Sequence, residues 1–396
     1  MINLLMNMIF VFFDIFFSIY IFDMSKNINF VLGYNLFGIL LFVPLEFFLV
    51  KIMNKHNFNA IYRLSFAMAL LSIGLVFTIN ANTLFMVFVV RGVYTITKVL
   101  YWLPHEVAIM NYNTKKSMKS FVGVAQLLEL ISAMLSPFIS GYVIDYISYG
   151  ILFAIIAVIA FVCFILSFWV KRGWVDAPQI KFKEFIKGTH QIKKVRLTYL
   201  AYGLYKFSQN SVTEILLPVL LFMKVGTNFS VGIYSTIAIA VSALVLVIYL
   251  KLDQFKNPLL MISTFLLVLA SILLTLWASI IAFFIYYFVT KCCQKIINTR
   301  FTQENYVSRV NTAYAPYNKE HHLTYNIYDH AFKVVGFIIA FLIYNLIPNQ
   351  ISLSIILLTL SSMQIVSSVL LIKVSKMTVG EENSDNGATQ EKVAAA

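Results

Sequence analysis

The chain has 396 residues, 60% of them hydrophobic and only 12% charged, and its mean hydropathy of +0.83 excludes an ordinary water-soluble globular domain. Its formal net charge of +13 does not read as a nucleic-acid face, because the cations fall in short breaks between apolar runs and do not gather on one surface. The runs are long and uninterrupted, which excludes the short alternating strands of an outer-membrane barrel.

Twelve runs approach the roughly 20 residues that a helical crossing needs: 4–22, 30–50, 62–79, 83–104, 121–141, 150–170, 197–221, 229–250, 259–276, 278–297, 325–345 and 351–372. The first lacks a basic leading segment and an A-x-A-like cleavage site, so it is read as a span and not as a removed signal. It carries Asp14. Span two ends in Val50-Lys51-Ile52-Met53-Asn54-Lys55-His56-Asn57-Phe58-Asn59, and Glu46 shortly before is read as a boundary residue. Span four carries Arg91-Gly92, Tyr94, Lys98, Tyr101 and Trp102. Span five carries Glu129 together with Gly123, Ser132, Ser136-Pro137 and Ser140-Gly141, small residues whose spacing lets two helix backbones approach closely while Pro137 bends the span.

A basic break, Lys171 to Arg196, then divides six spans from six. This gives a first bundle over 1–170, a linker over 171–196, a second bundle over 197–376 and an acidic, disordered tail over 377–396. Within the break, Ile180, Phe182, Phe185, Ile186 and Ile192 among lysines fit a helix lying in the membrane interface, with a flexible solvated linker as the alternative. Span seven holds Tyr205, Lys206, Glu214 and Pro218. Span ten holds Lys291, and span eleven holds Asp329, His330 and Lys333. Cys163, Cys292 and Cys293 are odd in number and without framework spacing, so they are read as apolar packing residues.

An ionisable side chain at the bilayer centre costs on the order of 3 kcal/mol, so each is a functional candidate and must face another or a wet cavity. Asp14 and Arg91 each lie eight residues from the far end of their spans, which makes them level and suggests a pair, either structural or working in transport. Lys98 and Lys291 are equally deep and, with Lys206, suit a carboxylate or phosphate; snorkelling to the interface is the alternative for both. Asp329 and Lys333 share a helix face. Asp14, Glu129, Glu214 and Asp329 are the candidate proton-coupling carboxylates. Arg91, Tyr94, Lys98, Trp102, Tyr205, Lys206, Lys291, His330 and Lys333 are the candidate substrate-cavity residues, with ordinary packing as the alternative for the aromatic ones.

Twelve crossings put both termini on one side. Loops on that side carry 22 lysines and arginines against 2 on the other, so the termini are expected to be cytoplasmic in a multi-pass cell-membrane protein of bacterial inner-membrane type.

The loop after span two resembles the signature G-x-L-x-D-R-x-G-R-K of the major facilitator superfamily, with Asn54 in the Asp place, Lys55 in the Arg place and Asn57 in the second Gly place. Gly123, Ser132, Ser136-Pro137 and Ser140-Gly141 resemble that family's antiporter motif, G-x8-G-x3-G-P-x2-G-G, and Arg91 resembles its fourth-helix arginine. Lys51-Ile52 and Asn57 recur as Lys251-Leu252 and Asn257, and Thr97-Lys98 recurs as Thr290-Lys291, as expected of a duplicated bundle. The resemblance implies an all-α membrane fold of two pseudo-symmetric six-helix bundles with an interfacial substrate site. It also implies conformational roles for Asn54, Lys55, Gly123, Ser136, Pro137 and Gly141. The expected function is proton-coupled export of a charged or zwitterionic small organic molecule by alternating access.

The alternatives are an importer of an anionic metabolite, a flippase for an anionic lipid precursor with a cavity open sideways, a facilitator for a neutral solute, and a membrane-embedded enzyme. The enzyme rests on Glu320-His321-His322 with Asp329-His330 as metal ligands. Six histidines in all are fewer than a multi-histidine di-iron site needs, so no metal is expected. Neither G-x-x-x-x-G-K-[ST] nor G-x-S-x-G occurs. No enzyme activity or cofactor is therefore expected: an ion gradient supplies the energy, the partners are a small-molecule substrate and the bilayer without nucleic acid, and the chain acts as a monomer.

Overall fold

The computed structural model describes residues 2–377 apart from 55, 81–82, 113–114, 170–179, 210–211, 253–254, 311–313 and 348–349; the side chains of 109–112, 115–121, 131–132, 208–209, 310 and 350 also fall outside the description. Lys55, the Ser132 side chain and the tail after 377 are thus outside it.

Among the described residues, eleven helices are long and apolar enough to cross a membrane. The first six run Ile2–Ser25, Ile28–Ile52, Phe58–Val76, Met86–Tyr112, Lys115–Tyr146 and Tyr149–Leu166. After the linker helix Phe182–Gln191 the others run Asn228–Lys251, Lys256–Leu276, Ile280–Val310, Asn318–Leu346 and Gln350–Ser375. The seventh crossing comes in two pieces, Lys193–Gln209 and Thr213–Val225, each too short to cross alone; with it the spans number twelve. The sequence there, Ser208-Gln209-Asn210-Ser211, is rich in residue types that favour caps and turns over helix interiors. The second piece begins with Glu214 in its first turn, where a carboxylate suits the helix dipole.

Spans four, five, ten and eleven are longer than their apolar runs. The expected ends at 297 for span ten and 325 for span eleven are corrected to Val310 and Asn318. The added residues are polar, yet they pair between helices instead of looping into water. The Arg300 guanidinium donates to Asn257 Oδ1 at 3.1 Å and to Glu304 Oε2 at 3.2 Å, and Lys194 Nζ lies 3.6 Å from Glu304 Oε1. Span one has its own irregularity, a π-helical turn over Phe12–Phe16 that widens the helix around Asp14.

Spans one to six pack as one bundle and seven to twelve as the other. The bundles meet along span five against span eight, span two against span eleven, and the second half of span one against the second piece of span seven. Spans five and eight approach at backbone distance. A Cβ at Gly141 would lie 2.4 Å from the Asn228 carbonyl oxygen, and one at Gly232 would lie 2.5 Å from the Pro137 oxygen. The linker helix packs its Phe185 on Tyr314, Tyr317 and His321 and its Phe182 on Phe47. The face from which span one starts is called the N-terminal face below, and the other the opposite face.

Candidate functional site

Two adjoining cavities lie between the bundles. One of about 330 Å³ is at mid-span, and one of about 840 Å³ is in the half next to the N-terminal face; Asn7, Trp102, Glu129 and Asn298 line both. Two polar stripes make their walls. On span one, Asn3, Asn7 and Asp14 recur at helical spacing, and on span ten Lys291, Lys295, Asn298, Thr302, Asn305 and Arg309 follow one another every three or four residues. A single wetted face per helix is how polar residues remain tolerable in a spanning segment.

Asp14, in its widened turn, accepts from Lys98 Nζ at 3.0 and 3.2 Å and from the Tyr94 hydroxyl at 3.4 Å. The expected pairing of Asp14 with Arg91 is therefore corrected: Lys98 takes the carboxylate. Counting helix rise gives depth but neither rotation nor the reach of a lysine stem. The Tyr94 ring, stacked on Phe13 at 4.2 Å, has Lys98 4.9 Å and Arg91 5.6 Å from its centre. Arg91 is buried behind this layer, 4.9 Å from the Tyr34 ring centre, in a groove left by Gly38; a Cβ at 38 would meet Arg91 Nε at 2.0 Å.

From the second bundle, Lys291 and Glu214 face the mid-span cavity within electrostatic reach of each other, as do Lys295 and Glu129 across the bundles. Lys206 stands over Tyr202 and Tyr205, and Tyr205 stacks on Phe301 at 4.6 Å. The expected cavity residues Lys98, Trp102, Tyr205, Lys206 and Lys291 thus line these cavities, as do the carboxylates Asp14, Glu129 and Glu214.

Arg91, Tyr94, Asp329, His330 and Lys333 do not. The last three lie on span eleven: Lys333 binds Asp329 at 2.7 Å, and the His330 ring stacks on Phe42 of span two at 4.2 Å.

Of the expected conformational residues, Gly123 faces Leu250 of span eight, Pro137 and Gly141 form the backbone approach described above, and Ser136 is buried beside them. Asn54 turns inward on its own loop, its Oδ1 accepting from the His56 and Asn57 amides.

Glu46 corrects its reading as a boundary residue. It is fully buried between spans two and eleven, where Asn326 Nδ2 donates to its Oε1 at 2.8 Å and His322 Nε2 lies 3.2 Å away. His321, next in sequence, turns instead to the Tyr199 hydroxyl at 2.6 Å. The histidines of Glu320-His321-His322 therefore diverge, and among the described residues no His/Cys/Asp/Glu group is arranged to hold a metal.

Sequence reading also passed over Lys295, Glu106 and Arg309. Glu106 accepts from the Tyr306 hydroxyl across the bundles. The signal is there, since Lys295 and Arg309 continue the stripe that starts at Lys291, but the apolar run by itself ends at 297.

Cavities at the meeting of two six-helix bundles, walled by the first and tenth spans, suit a carrier that opens alternately to each side. Residues 1–318 match the family model of the Major Facilitator Superfamily. The chain belongs to that family. No curated protein matches the chain by sequence. Among solved structures, the human organic anion transporter MFSD10 is similar with a TM-score of 0.66 at 12% identity, over 93% of this chain and 97% of that one. A bacterial homologue of the iron transporter ferroportin, in an outward-facing state, gives 0.66 at 12% identity over 94% and 98%, and the E. coli fucose:proton symporter gives 0.61 at 12% over 93% and 98%. At these identities the likeness is one of fold. As a major facilitator protein the chain is a multi-pass secondary transporter.

Proposed function

We propose that this transporter exports a charged or zwitterionic small organic molecule in exchange for protons, loading it from a cytoplasmic N-terminal face. The observation that carries the reading is the mixed charge of the cavity walls. Lys98, Lys206, Lys291, Lys295 and Arg309 stand among Asp14, Glu106, Glu129 and Glu214, with a void wide enough for a small molecule on the N-terminal side. A neutral solute would leave these groups unused, whereas a zwitterion meets a partner for each of its charges. The basic bias of the loops on the terminal side supports the orientation.

A second reading, an anionic amphiphile drawn from the inner leaflet, is favoured by one observation. The larger cavity is also lined by Leu4, Val124, Leu128 and Trp169, apolar side chains that are themselves exposed. A head group would then sit among the lysines while an apolar tail stays in the bilayer.

The test compares metabolites and lipids inside and outside cells with and without the protein, then with Asp14→Asn and Lys291→Gln. Accumulation outside that needs the protein and is lost in both variants is expected. Unchanged export in both variants defeats the site.

A further inference from the structure

Glu46 and His322 face each other across the seam between the bundles; Glu46 stands outside the lining of both cavities, and His322 reaches the larger one. Glu46 comes from span two in the first bundle and His322 from span eleven in the second, with exposures of 0% and 5%. Asn326 Nδ2 reaches both, at 2.8 Å to Glu46 Oε1 and 3.0 Å to His322 Nε2. Two polar atoms of the pair are left over: Glu46 Oε2 and His322 Nδ1 are buried with no hydrogen-bond partner. A buried carboxylate with a free oxygen, held by a neutral amide and an imidazole, is an incomplete arrangement unless a proton is part of it.

The alternatives can be counted. With one proton shared, the pair is either carboxylic acid and imidazole or carboxylate and imidazolium, and both forms are neutral overall. Without that proton it is carboxylate and neutral imidazole, a net negative charge shut between two helices, and an uncompensated buried charge is the costly case.

Neighbouring charges do not remove the imbalance. From span four the facing groups are His105 and Glu106, from span ten Arg309, and from span eleven itself Asp329 and His330. Asp329 is taken by Lys333, and the cation among these groups, Arg309, is shared with Glu106, whose carboxylate also accepts from the Tyr306 hydroxyl. Span one meets span two through its second half, whose charged residue, Asp23, lies at the opposite face about 27 Å away by helix rise. The linker helix touches span two through Phe182 on Phe47 and gives span eleven His190, which is bound to Tyr328; span seven turns Tyr199 to His321 and Lys206 towards Asp329.

We infer that Glu46 and His322 together hold one exchangeable proton, and that this proton keeps the seam of spans two and eleven shut on the N-terminal face. The inference rests on the proton-driven reading above and names the groups that carry the coupling. His322 also lines the cavity of the N-terminal half, so a proton arriving there reaches the carboxylate through the imidazole. Loss of the proton leaves the buried negative charge, and the seam parts to hydrate it. Water then enters between the bundles, and rebinding of a proton allows them to close again.

The experiment uses the full-length protein in lipid nanodiscs with spin labels on Lys51→Cys and Glu320→Cys, which flank the seam, in a background with the three native cysteines replaced by serine. Distances are measured by pulsed electron resonance from pH 5 to pH 9 without substrate. The wild-type pair is expected to shift from a short to a long distance as the pH rises. Glu46→Gln, which keeps the oxygen for Asn326 but cannot ionise, is expected to hold the short distance throughout, and His322→Gln to move the midpoint by at least tenfold in proton concentration. A Glu46→Gln protein that keeps the wild-type response overturns the inference, as does a wild-type distance that ignores pH. The proton-driven reading is judged separately, by whether a protonophore abolishes the difference in metabolites between cells. A seam that titrates through Glu46 while export survives the protonophore would sink that reading and leave the seam assignment standing.

Discussion

Gly141→Ala is expected to weaken closure of the opposite face without altering a cavity wall. The added Cβ would lie 2.4 Å from the Asn228 oxygen, 3.0 Å from its carbonyl carbon and 3.1 Å from Phe229 Cα. Ordinary contact between such atoms needs about 3.5 Å. All three neighbours are backbone, so no side chain can rotate aside, and span eight must retreat from span five by roughly 1 Å. Overpacking of this kind costs about 1–3 kcal/mol. The cost falls on the arrangement in which spans five and eight touch at Gly141, and is expected to vanish once they part at that end. A bias of that size changes the balance between the states by about 5- to 150-fold. The assay is the alkylation rate of Ser140→Cys, a position buried beside the contact, by a thiol reagent that does not cross membranes, in a background lacking the native cysteines. The rate should rise with Gly141→Ala and again with Gly232→Ala, whose Cβ would meet the Pro137 oxygen at 2.5 Å. Gly92→Ala serves as the control, since its Cβ would meet only Leu41 and Phe37 side chains at 3.8 and 3.9 Å. Equal rates in wild type, Gly141→Ala and Gly232→Ala would refute the claim that this close approach is a moving seam.

Other variants separate transport from stability. Lys98→Met leaves Asp14, among the described residues, with only the Tyr94 hydroxyl, and export should fall by about tenfold or more. The unfolding temperature in detergent should hardly move, because the Asp14 side chain is 49% exposed and the ion pair is screened. Glu304→Gln does the reverse: it leaves Arg300 and Lys194, both buried, without the carboxylate between them. Removing one partner of a buried ionic cluster costs about 3–5 kcal/mol, to be read as a clear drop in unfolding temperature, while the cavity walls are unchanged.

Span number and order were legible because each crossing must bury its own backbone hydrogen bonds behind an apolar surface, and that surface is written directly in the sequence. The helix ends were less so. Hydropathy falls at Gln294-Lys295, whose side chains line the mid-span cavity, and a count that treats polar residues as loop stops the helix there. The periodicity of Lys291, Lys295, Asn298, Thr302, Asn305 and Arg309 carried the correct answer. The divided seventh span was announced by Ser208-Gln209-Asn210-Ser211 in the middle of a crossing. The pairing of Asp14 with Lys98 was not legible, since it depends on the rotation of two helices and a widened turn at Phe12–Phe16. Glu46 was misjudged because distance from a span end says nothing about which neighbour covers that end.

The two faces are closed by different physics, and this sets what each can respond to. On the opposite face the bundles meet through Asn29 and Asn345 at 3.0 Å, through the backbone approach at Gly141 and Gly232, and through Asp145, which caps span eight by accepting from the Phe229 amide at 2.7 Å. Apart from that one carboxylate, these are neutral contacts whose strength is set by packing. On the N-terminal face the seam holds Glu46 with His322, Glu106 with Tyr306, and Lys319, which donates to the Met53 carbonyl at 3.2 Å. Its strength depends on ionisation. A packing change on the opposite face should therefore shift the balance of states by the same factor at every pH, whereas Glu46→Gln should remove the pH dependence itself. Combined in one protein, Gly141→Ala and Glu46→Gln should give additive free energies, because the sites share no partner. Populations of the two seam distances in that double variant that depart from the sum by more than about 0.5 kcal/mol would mean that the two contacts are coupled directly, beyond the change of state they share.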